Sequence, residues 1–249
     1  MSDFAPLADW RLVLVSPQTP GNIGAAARVL RNFGGSDLWL VAPRCDAGAE
    51  DKAVQLATRH AQDVLASRHE CATLDEALAG CHASIALTMQ SSADRPVDFT
   101  GFVPAPLLAS RTAGEKWALV FGREDHGLNN EECSRCTFRW SIPSNPESPS
   151  FNLAQAIAIA LAGIAGCAPH GEGADEEAPA TQDEVDGLMA HVEQVLVASE
   201  YERGVPMELP LRLMRRAANR ARMRTNEVRA LRGVCRRVLN AILGFERRP

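Results

Sequence analysis

The sequence contains no apolar run long enough to cross a membrane. The longest apolar stretch, residues 154–168, spans about four helical turns, whereas a membrane helix needs about twenty apolar residues. The first ten residues also lack the basic and then apolar order of a secretory signal peptide. With 46% apolar and 23% charged residues, the composition is that of a globular protein. We therefore expect no membrane association, a cytoplasmic location, and one large domain with a smaller appendage.

The cysteines form neither a disulfide framework nor a metal-binding pattern. There are seven, an odd number scattered along the chain, which favours a reducing compartment. Cys133 and Cys136 form one CxxC pair, but a zinc site needs a second pair or suitably spaced histidines. No metal site is therefore expected. The GxGxxG and GxxxxGKS/T patterns are also missing, which counts against a dinucleotide site and a P-loop.

The net charge of −5 hides an uneven distribution of charge. Residues 170–186 carry seven carboxylates and no Lys or Arg, and the Pro, Gly and Ala content of 168–183 predicts an acidic linker. Residues 205–249 carry twelve Arg and three Glu, so nine positive charges are in excess. Three carboxylates cannot pair twelve guanidinium groups within the segment. A phosphate-bearing partner is therefore expected.

Strand-like and helix-like patterns alternate before the linker. A strand at 11–17, a helix from 22 to about 32 and a strand at 38–42 form a βαβ unit, which implies a parallel sheet. Further strands are predicted at 83–89, 117–122 and 138–143, with one helix over 51–67, a helical piece at 74–79 and irregular structure at 90–106. The continuous apolar character of the strands predicts an α/β fold with helices on both faces of the sheet.

The segment after the linker reads as helical. Apolar residues recur at helical spacing over 184–199, 209–222 and 226–243. In the last of these helices the apolar stripe runs from Val228 to Ile242, and most arginines fall on other faces. We expect a small helical extension with one packed side and one basic side.

Three loops, 17–28, 121–131 and 142–152, each follow a predicted strand, and ligand sites collect at the carboxyl ends of parallel strands. At Gly122 the backbone could approach a ligand closely. The third loop opens into an apolar helix that Ser148, Ser150 or Asn152 could cap.

The segments NIGAAAR (22–28), FGREDHGL (121–128) and IPSNPESPSFNLAQA (142–156) occur in this order. Together they resemble the three motifs of the SPOUT class of RNA methyltransferases. They are most similar to the tRNA 2′-O-methyltransferases that modify position 32 of the anticodon loop. HVEQVLVASEY and MRRAANRARMRTNEVRALRGV also resemble the helical extension of that subfamily. On this resemblance residues 1–167 are the catalytic domain, 168–183 the linker and 184–249 an Arg-rich, RNA-binding extension.

The resemblance implies a mostly parallel sheet tied in a trefoil knot, a homodimer with the active site at its interface, and S-adenosyl-L-methionine as methyl donor. Motif matching gives the expected donor contacts as Thr88, Met89, Gln90, Gly122, Ile142, Pro149, Ser150 and Phe151. It gives the expected reaction site as Asn22, Arg28, Glu124, Ser150 and Asn152. The chain departs from the family pattern at 87–91, where LTMQS replaces a sequence like G-T-S/T-A-R, and at Phe151, where Leu is usual.

The expected activity is 2′-O-methylation of tRNA at nucleotide 32. Methyl transfer requires alignment and removal of the hydroxyl proton. A guanidinium stays protonated and is a poor base, so we expect Arg28 to hold a phosphate and stabilise the developing alkoxide. Ser150 and Asn152 either hold the ribose or cap the helix, and Glu124 either orients Arg28 or caps its own turn. The alternative functions are rRNA ribose methylation and a non-catalytic, knotted RNA-binding role.

Overall fold

The computed structural model describes residues 7–46, 51–57, 60–89, 97–112, 114–167, 179–201 and 206–244. The chain divides into two compact units, residues 1–173 and 174–249. Across the described ranges, no helix is both long and apolar enough to span a bilayer.

The first unit is built on a seven-stranded sheet in which each neighbouring pair of strands is parallel. The strands lie in the order β3-β2-β1-β6-β4-β7-β5. The strands are β1 (Trp10–Val15), β2 (Asp37–Val41), β3 (His69–Cys71), β4 (Ala83–Thr88), β5 (Phe99–Thr100), β6 (Trp117–Phe121) and β7 (Phe138–Ser141). The helices are α1 (Pro20–Asn32), α2 (Asp51–Leu56), α3 (Gln62–Ala66), α4 (Leu74–Leu78), α5 (Ala105–Leu108), α6 (Asn130–Arg135) and α7 (Leu153–Ala165).

Apolar packing covers both faces of this sheet. On β1, Leu12 and Leu14 belong to one buried cluster, whereas Val13 and Val15 belong to another. Successive strand residues point to opposite faces, so the two clusters lie on the two sides of the sheet. The first cluster includes residues of α1, α3, α5 and α7, and the second includes residues of α4 and α6. The predicted α/β fold with a parallel sheet between helices is confirmed, and the trefoil knot stays a prediction.

The CxxC pair lies in the second of these clusters. Cys133 and Cys136 are both buried, and burial raises the pKa of the Cys136 thiol far above its ordinary value. Both therefore pack as small apolar side chains. In the part of the chain that the structure describes, no group of three or more His, Cys, Asp or Glu is arranged to hold a metal ion.

Within its described residues, the second unit contains three helices, α8 (Gln182–Ala198), α9 (Glu208–Ala221) and α10 (Thr225–Ile242). Their small core is formed by Ala180, Val185, Leu188, Met189, Ala218 and Val228. The prediction that the apolar stripe of the last helix forms a packed side is wrong over most of its length. Only Val228 is buried, while Leu231, Val234, Val238 and Ile242 are exposed, because helical spacing fixes which residues share a face but not whether a neighbour covers that face.

Three local predictions also need correction. The single helix predicted over 51–67 is two helices, α2 and α3, and the backbone of Ala61 (φ −123°, ψ 0°) is not helical. The stretch predicted to be irregular contains β5 and α5, although residues 90–96 lie outside the described ranges. The loop predicted over 121–131 ends earlier than expected, because α6 begins at Asn130 with a capping box formed by Asn129 and Glu132. The N-x-x-E spacing of Asn129 and Glu132 is typical of a capping box, but six residues are too few for a helical periodicity to predict the helix.

Gly24 lets α1 pack closely on α2. A Cβ atom added at Gly24 would lie 2.2 Å from the carbonyl oxygen of Ala53, which is backbone and cannot turn aside.

We predict that Gly24→Ala lowers the midpoint of thermal unfolding of the first unit, because overpacking of this kind costs about 1–3 kcal/mol. Gly233 on α10 has nothing within 4 Å of the same added atom. Gly233→Ala should therefore leave its unit equally or more stable, and calorimetry in which both substitutions lower the unfolding midpoint equally would contradict the packing explanation.

Candidate active site

The three loops singled out in the sequence meet at the carboxyl edge of the sheet. The second and third loops and the end of β4 enclose a cavity of about 410 Å³. The cavity is lined by Leu87, Thr88, Met89, Phe121, Gly122, Arg123, Glu124, His126, Gly127, Leu128, Ile142, Pro149, Ser150, Phe151, Leu153 and Ala156. A cavity of this size, mostly apolar and with few polar groups, is typical of a site for a small organic ligand.

The cavity lining includes seven of the eight residues predicted to contact the methyl donor. They are Thr88, Met89, Gly122, Ile142, Pro149, Ser150 and Phe151. The eighth, Gln90, lies outside the described residues. Motif matching therefore selected residues that share one cavity, although they come from three separate stretches of the chain. Their individual roles stay predictions.

Glu124 joins the second loop to the first. Its carboxylate accepts hydrogen bonds from the backbone N–H groups of Gln18 and Thr19, at 3.0 and 3.1 Å, and from Asn22 Nδ2 at 2.9 Å. Thr19 precedes α1, and its own side chain makes no capping hydrogen bond among the described residues. The carboxylate thus lies at the positively polarised end of α1, where a negative charge is favoured. Glu124 therefore holds the segment that leads into α1, and its expected roles toward Arg28 or its own turn stay predictions.

Asn22 extends this network to the third loop. Its Oδ1 accepts from Asn152 Nδ2 at 3.3 Å, while its Nδ2 donates to Glu124. Asn152 is the N-cap of α7. Its Oδ1 accepts from the backbone N–H of Ala154, and its backbone N–H donates to Gln155 Oε1. Of the three candidate caps, Asn152 therefore occupies the position. Its amide also points to Asn22, so one side chain both caps α7 and connects two loops.

Gly122 is required by the loop that contains it. An added Cβ would lie 2.0 Å from the carbonyl carbon of Gly127 and 2.2 Å from the nitrogen of Leu128. The loop folds back at Gly127, whose φ of +66° favours glycine. Arg123 supports the turn by donating to both carboxylate oxygens of Glu132, at 2.8 and 3.0 Å. The close approach expected at Gly122 is thus made by the protein's own backbone, on the wall of the cavity.

Arg28 and Ser150 lie apart from this hydrogen-bond network. Arg28 is exposed on α1 and does not line the cavity. No residue in the described part of the chain forms a hydrogen bond or an ion pair with it. Ser150 is exposed at the cavity wall, in a loop where Ser144 Oγ donates to the carbonyl of Pro149 at 2.8 Å. The structure thus brings together Asn22, Glu124 and Asn152, with Ser150 at the cavity and Arg28 on the outer surface of α1.

A buried polar atom in the cavity wall could be satisfied by a polar ligand. Thr88 Oγ1 is inaccessible to solvent and has no hydrogen-bond partner in the described part of the chain. A buried hydroxyl without a partner is costly, by about 1–3 kcal/mol, so such atoms are rare unless a ligand satisfies them. Apolar walls with one unsatisfied hydroxyl and a few polar groups suit a nucleoside. The residues present therefore fit S-adenosyl-L-methionine.

His126 lines the cavity, although it is not among the residues expected at the reaction site: its residue type makes it a candidate base, but its position varies within the family pattern. Its Nε2 lies 3.6 Å from Asp125 Oδ2, and its side chain is mostly exposed. Gln18 Nε2 donates to the same Asp125 oxygen at 3.1 Å, and this hydrogen bond is the main cause of the lowered pKa of Asp125. Asp125 is thus a second link between the first two loops. In the sequence, only its place beside Glu124 in the FGREDHGL segment suggests a role for Asp125 in the site.

Comparison with known proteins agrees with this geometry. The model of the SpoU rRNA Methylase family matches residues 9–162, and that of the tRNA methyltransferase TrmJ C-terminal domain matches residues 183–246. The chain belongs to the SpoU methylase family. The family membership expected from the three motifs is therefore confirmed, and as a member of this family the chain is a methyltransferase.

Several relatives within the SpoU family cover nearly the whole chain. It is 34% identical over 244 residues to the tRNA (cytidine/uridine-2′-O-)-methyltransferases TrmJ of Shigella dysenteriae and of Escherichia coli K12, covering 92% of this chain and 94% of each relative. The crystal structure of TrmJ from Z. mobilis ZM4 matches with a TM-score of 0.78 and 30% identity, over 92% of this chain and 98% of that chain. A putative methylase family protein from Neisseria gonorrhoeae matches with a TM-score of 0.64 and 32% identity, over 75% and 95%.

Replacement of Glu124 by Gln tests its capping role. The amide keeps one acceptor oxygen, but its NH2 group would face an N–H donor of the first loop. We predict that Glu124→Gln lowers the free energy of unfolding by about 1–3 kcal/mol, which urea denaturation would measure. Glu131, exposed on α6, provides the matched control, since Glu131→Gln should change stability by less than about 0.5 kcal/mol. Equal effects of the two substitutions would show that the three hydrogen bonds do not support the loops.

Proposed function

We propose that the chain transfers a methyl group from S-adenosyl-L-methionine to the ribose 2′-hydroxyl of tRNA, at nucleotide 32 of the anticodon loop. The observation that carries this proposal is the cavity, because residues from two of the three family motifs and the end of β4 line it together. Hydrogen bonds of Asn22 to Glu124 and Asn152 join the remaining motif to these two. The matches to the TrmJ relatives cover over nine tenths of the chain, and the names of these relatives support the ribose of tRNA as the target. The proposed domains are 1–167 for catalysis, 168–183 as linker and 184–249 for RNA binding, and the proposed assembly is a homodimer.

In this proposal the cavity residues bind and orient the donor. The Thr88 hydroxyl, which lacks a partner in the described part of the chain, would donate to or accept from it. Ile142, Pro149 and Phe151 would provide apolar contact and exclude water. When bound, S-adenosyl-L-methionine supplies an electrophilic methyl group on a sulfonium sulfur. The task of the protein is then to hold the ribose hydroxyl in line with that methyl group.

None of the residues assigned to the reaction site is well placed to act as a general base. The Glu124 carboxylate accepts three hydrogen bonds from the first loop and its helix, so it holds that segment in position. The amides of Asn22 and Asn152 hydrogen-bond each other and their neighbours, so they position the loops. Arg28 is exposed and would bind the phosphate beside the target ribose and stabilise the developing alkoxide. The proton would leave through water or a phosphate oxygen.

Replacement of Arg28 by Ala separates phosphate binding from donor binding. Because Arg28 does not line the cavity, we predict that Arg28→Ala leaves donor affinity nearly unchanged. Turnover should fall at least about a hundredfold, as expected when a group that stabilises developing charge is lost. Arg31→Ala is the matched control, since Arg31 is also exposed on α1 but pairs with Asp63. Calorimetry and a methyl-transfer assay would test this, and a large loss of donor affinity with residual turnover would exclude the assigned role.

The helical extension is proposed to bind tRNA through its arginines. Exposed arginines on α9 and α10 are Arg212, Arg220, Arg229, Arg236 and Arg237. Guanidinium groups contact phosphates and contribute affinity that depends on salt and little on sequence. This part of the proposal does not depend on the chemistry at the cavity.

Two neighbouring arginines of α10 provide the test. We predict that replacing both Arg236 and Arg237 by Gln weakens tRNA binding and reduces the slope of log affinity against log salt by about one to two. Donor affinity should not change. Arg68→Gln is the control, because Arg68 pairs with Glu70 in the first unit. Filter binding over a salt series would measure both slopes, and an unchanged slope for the double variant would refute the RNA-binding role of this face.

Ribosomal RNA is the second candidate substrate, because the family model that matches residues 9–162 is described as an rRNA methylase family. Mapping of 2′-O-methylated nucleotides in RNA from a strain that lacks the gene separates the candidates. Loss of one methyl group from the tRNA anticodon loop would support the proposal, and loss from rRNA would replace it. Donor binding without any lost methylation would support the non-catalytic alternative.

A further inference from the structure

Two cationic residues outside the three loops belong to segments that lie beside the first loop. Arg44 follows β2, and Lys52 lies on α2. Both are exposed, and neither side chain forms a hydrogen bond or an ion pair in the part of the chain that the structure describes. A guanidinium and an ammonium group offer only donors and a positive charge. Both residues are therefore available to bind an anionic ligand.

The segment that carries Arg44 is held against the first loop. The backbone N–H of Arg44 donates to the carbonyl of Pro17 at 2.9 Å, and Cys45 Sγ lies 3.6 Å from the same oxygen. Pro17 is followed by Gln18, whose backbone N–H donates to Glu124. Arg44 is thus connected through Pro17 and Gln18 to the carboxylate that holds the first loop in the site.

The backbone that leads to Arg44 is strained in the same way as the backbone that leads to the first loop. Ser16, directly after β1, has a φ of 47°, and Ala42, directly after β2, has a φ of 42°. Residues other than glycine rarely adopt such values. The N–H of Ser16 donates to the carbonyl of Val41 at 2.7 Å, and that of Ala42 to the carbonyl of Cys71 at 2.8 Å. Strained backbone of this kind clusters at functional sites, where the surrounding structure fixes it.

Lys52 approaches the first loop from α2. A Cβ atom added at Gly21, in the first turn of α1, would lie 3.8 Å from Lys52 Cε, so the end of this side chain lies next to the start of α1. Gly21, Gly24 and Arg28 are spaced by three and four residues and therefore share one face of α1. Gly24 meets α2 at Ala53. Arg28 thus lies on the side of α1 that faces α2, about 10 Å along the helix from Gly21.

We propose that Arg44 and Lys52 extend the phosphate-binding surface of Arg28, and that these three cations hold successive phosphates of the RNA strand that carries the target ribose. This inference rests on the proposed function, since it takes RNA as the substrate. Three cations on separate segments suit the repeated charges of an RNA strand, whereas a single small anion would need them to converge on one point. Glu124 leaves these charges available, because its hydrogen bonds come from the first loop and Asn22.

Removal of both charges from the full-length protein tests this surface. We predict that the double variant Arg44→Gln, Lys52→Gln raises KM for unmodified tRNA transcribed in vitro by about tenfold. It should also reduce the slope of log affinity against log salt by about two, because each phosphate contact contributes about one. At saturating tRNA, kcat should stay nearly unchanged. The affinity for S-adenosylhomocysteine, measured by calorimetry, should not change, since neither residue lines the cavity.

The double variant Arg68→Gln, Arg135→Gln is the matched control. It removes the same net charge from the first unit, but from arginines that pair with Glu70 and Asp75. A general loss of positive charge would weaken tRNA binding equally in both double variants, whereas direct phosphate contacts would be lost only in the first. Unchanged affinity for S-adenosylhomocysteine in both variants would show that the first unit remains folded.

The outcomes separate this inference from the proposed function. If the unaltered protein methylates no tRNA, the proposed function and this surface both fail. If it methylates tRNA, but the Arg44 and Lys52 variant keeps its KM and salt slope or loses no more than the control, the surface alone is refuted. A fall in kcat at unchanged KM would place these residues at the chemical step and would also refute it. A raised KM and a reduced slope that the control does not show support the surface.

Discussion

The Glu124 carboxylate accepts three hydrogen bonds from the segment that leads into α1, and the geometry of the site depends on this contact. Two of the donors are backbone N–H groups, which have no alternative partner within the helix that follows. The third is Asn22, through which the network reaches Asn152 and α7. A charged group with good geometry therefore connects the first loop to two loops that lie about 100 residues or more further along the sequence. Without it, the first loop would have to find other partners for these groups.

This contact also connects the two halves of the proposed reaction. Glu124 lines the cavity, whereas Asn22 lies in the first turn of the helix that carries Arg28 on its exposed side. The donor side and the RNA side thus share one carboxylate. Asp125 adds a second link to the same segment through Gln18. In the proposed reaction Glu124 would act as a positioning residue, which contributes to the alignment that methyl transfer demands.

The glycines of the site contribute through close packing. Gly122 meets the backbone of Gly127 and Leu128, and Gly24 meets the backbone of Ala53. In both cases the glycine contacts backbone atoms of another segment, and backbone cannot rotate away as a side chain can. The loop after β6 is therefore compact enough to form a wall of the cavity, and α1 can lie against α2. The glycines allow the approach, and the carboxylate of Glu124 then fixes the orientation.

Much of the protein could be predicted from sequence, because the relevant signals are local. Apolar runs located five of the strands, a βαβ unit implied the parallel sheet, and three motifs in order indicated the family and the cavity residues. Other features depended on contacts between distant segments. Glu124 could have capped its own turn, and only the tertiary structure brings it to Gln18 and Thr19. The stripe on α10 has the spacing of a packed face, yet Val234 and Val238 are exposed. Periodicity determines which side chains share a face, whereas burial and hydrogen bonding require a partner that the local sequence does not identify.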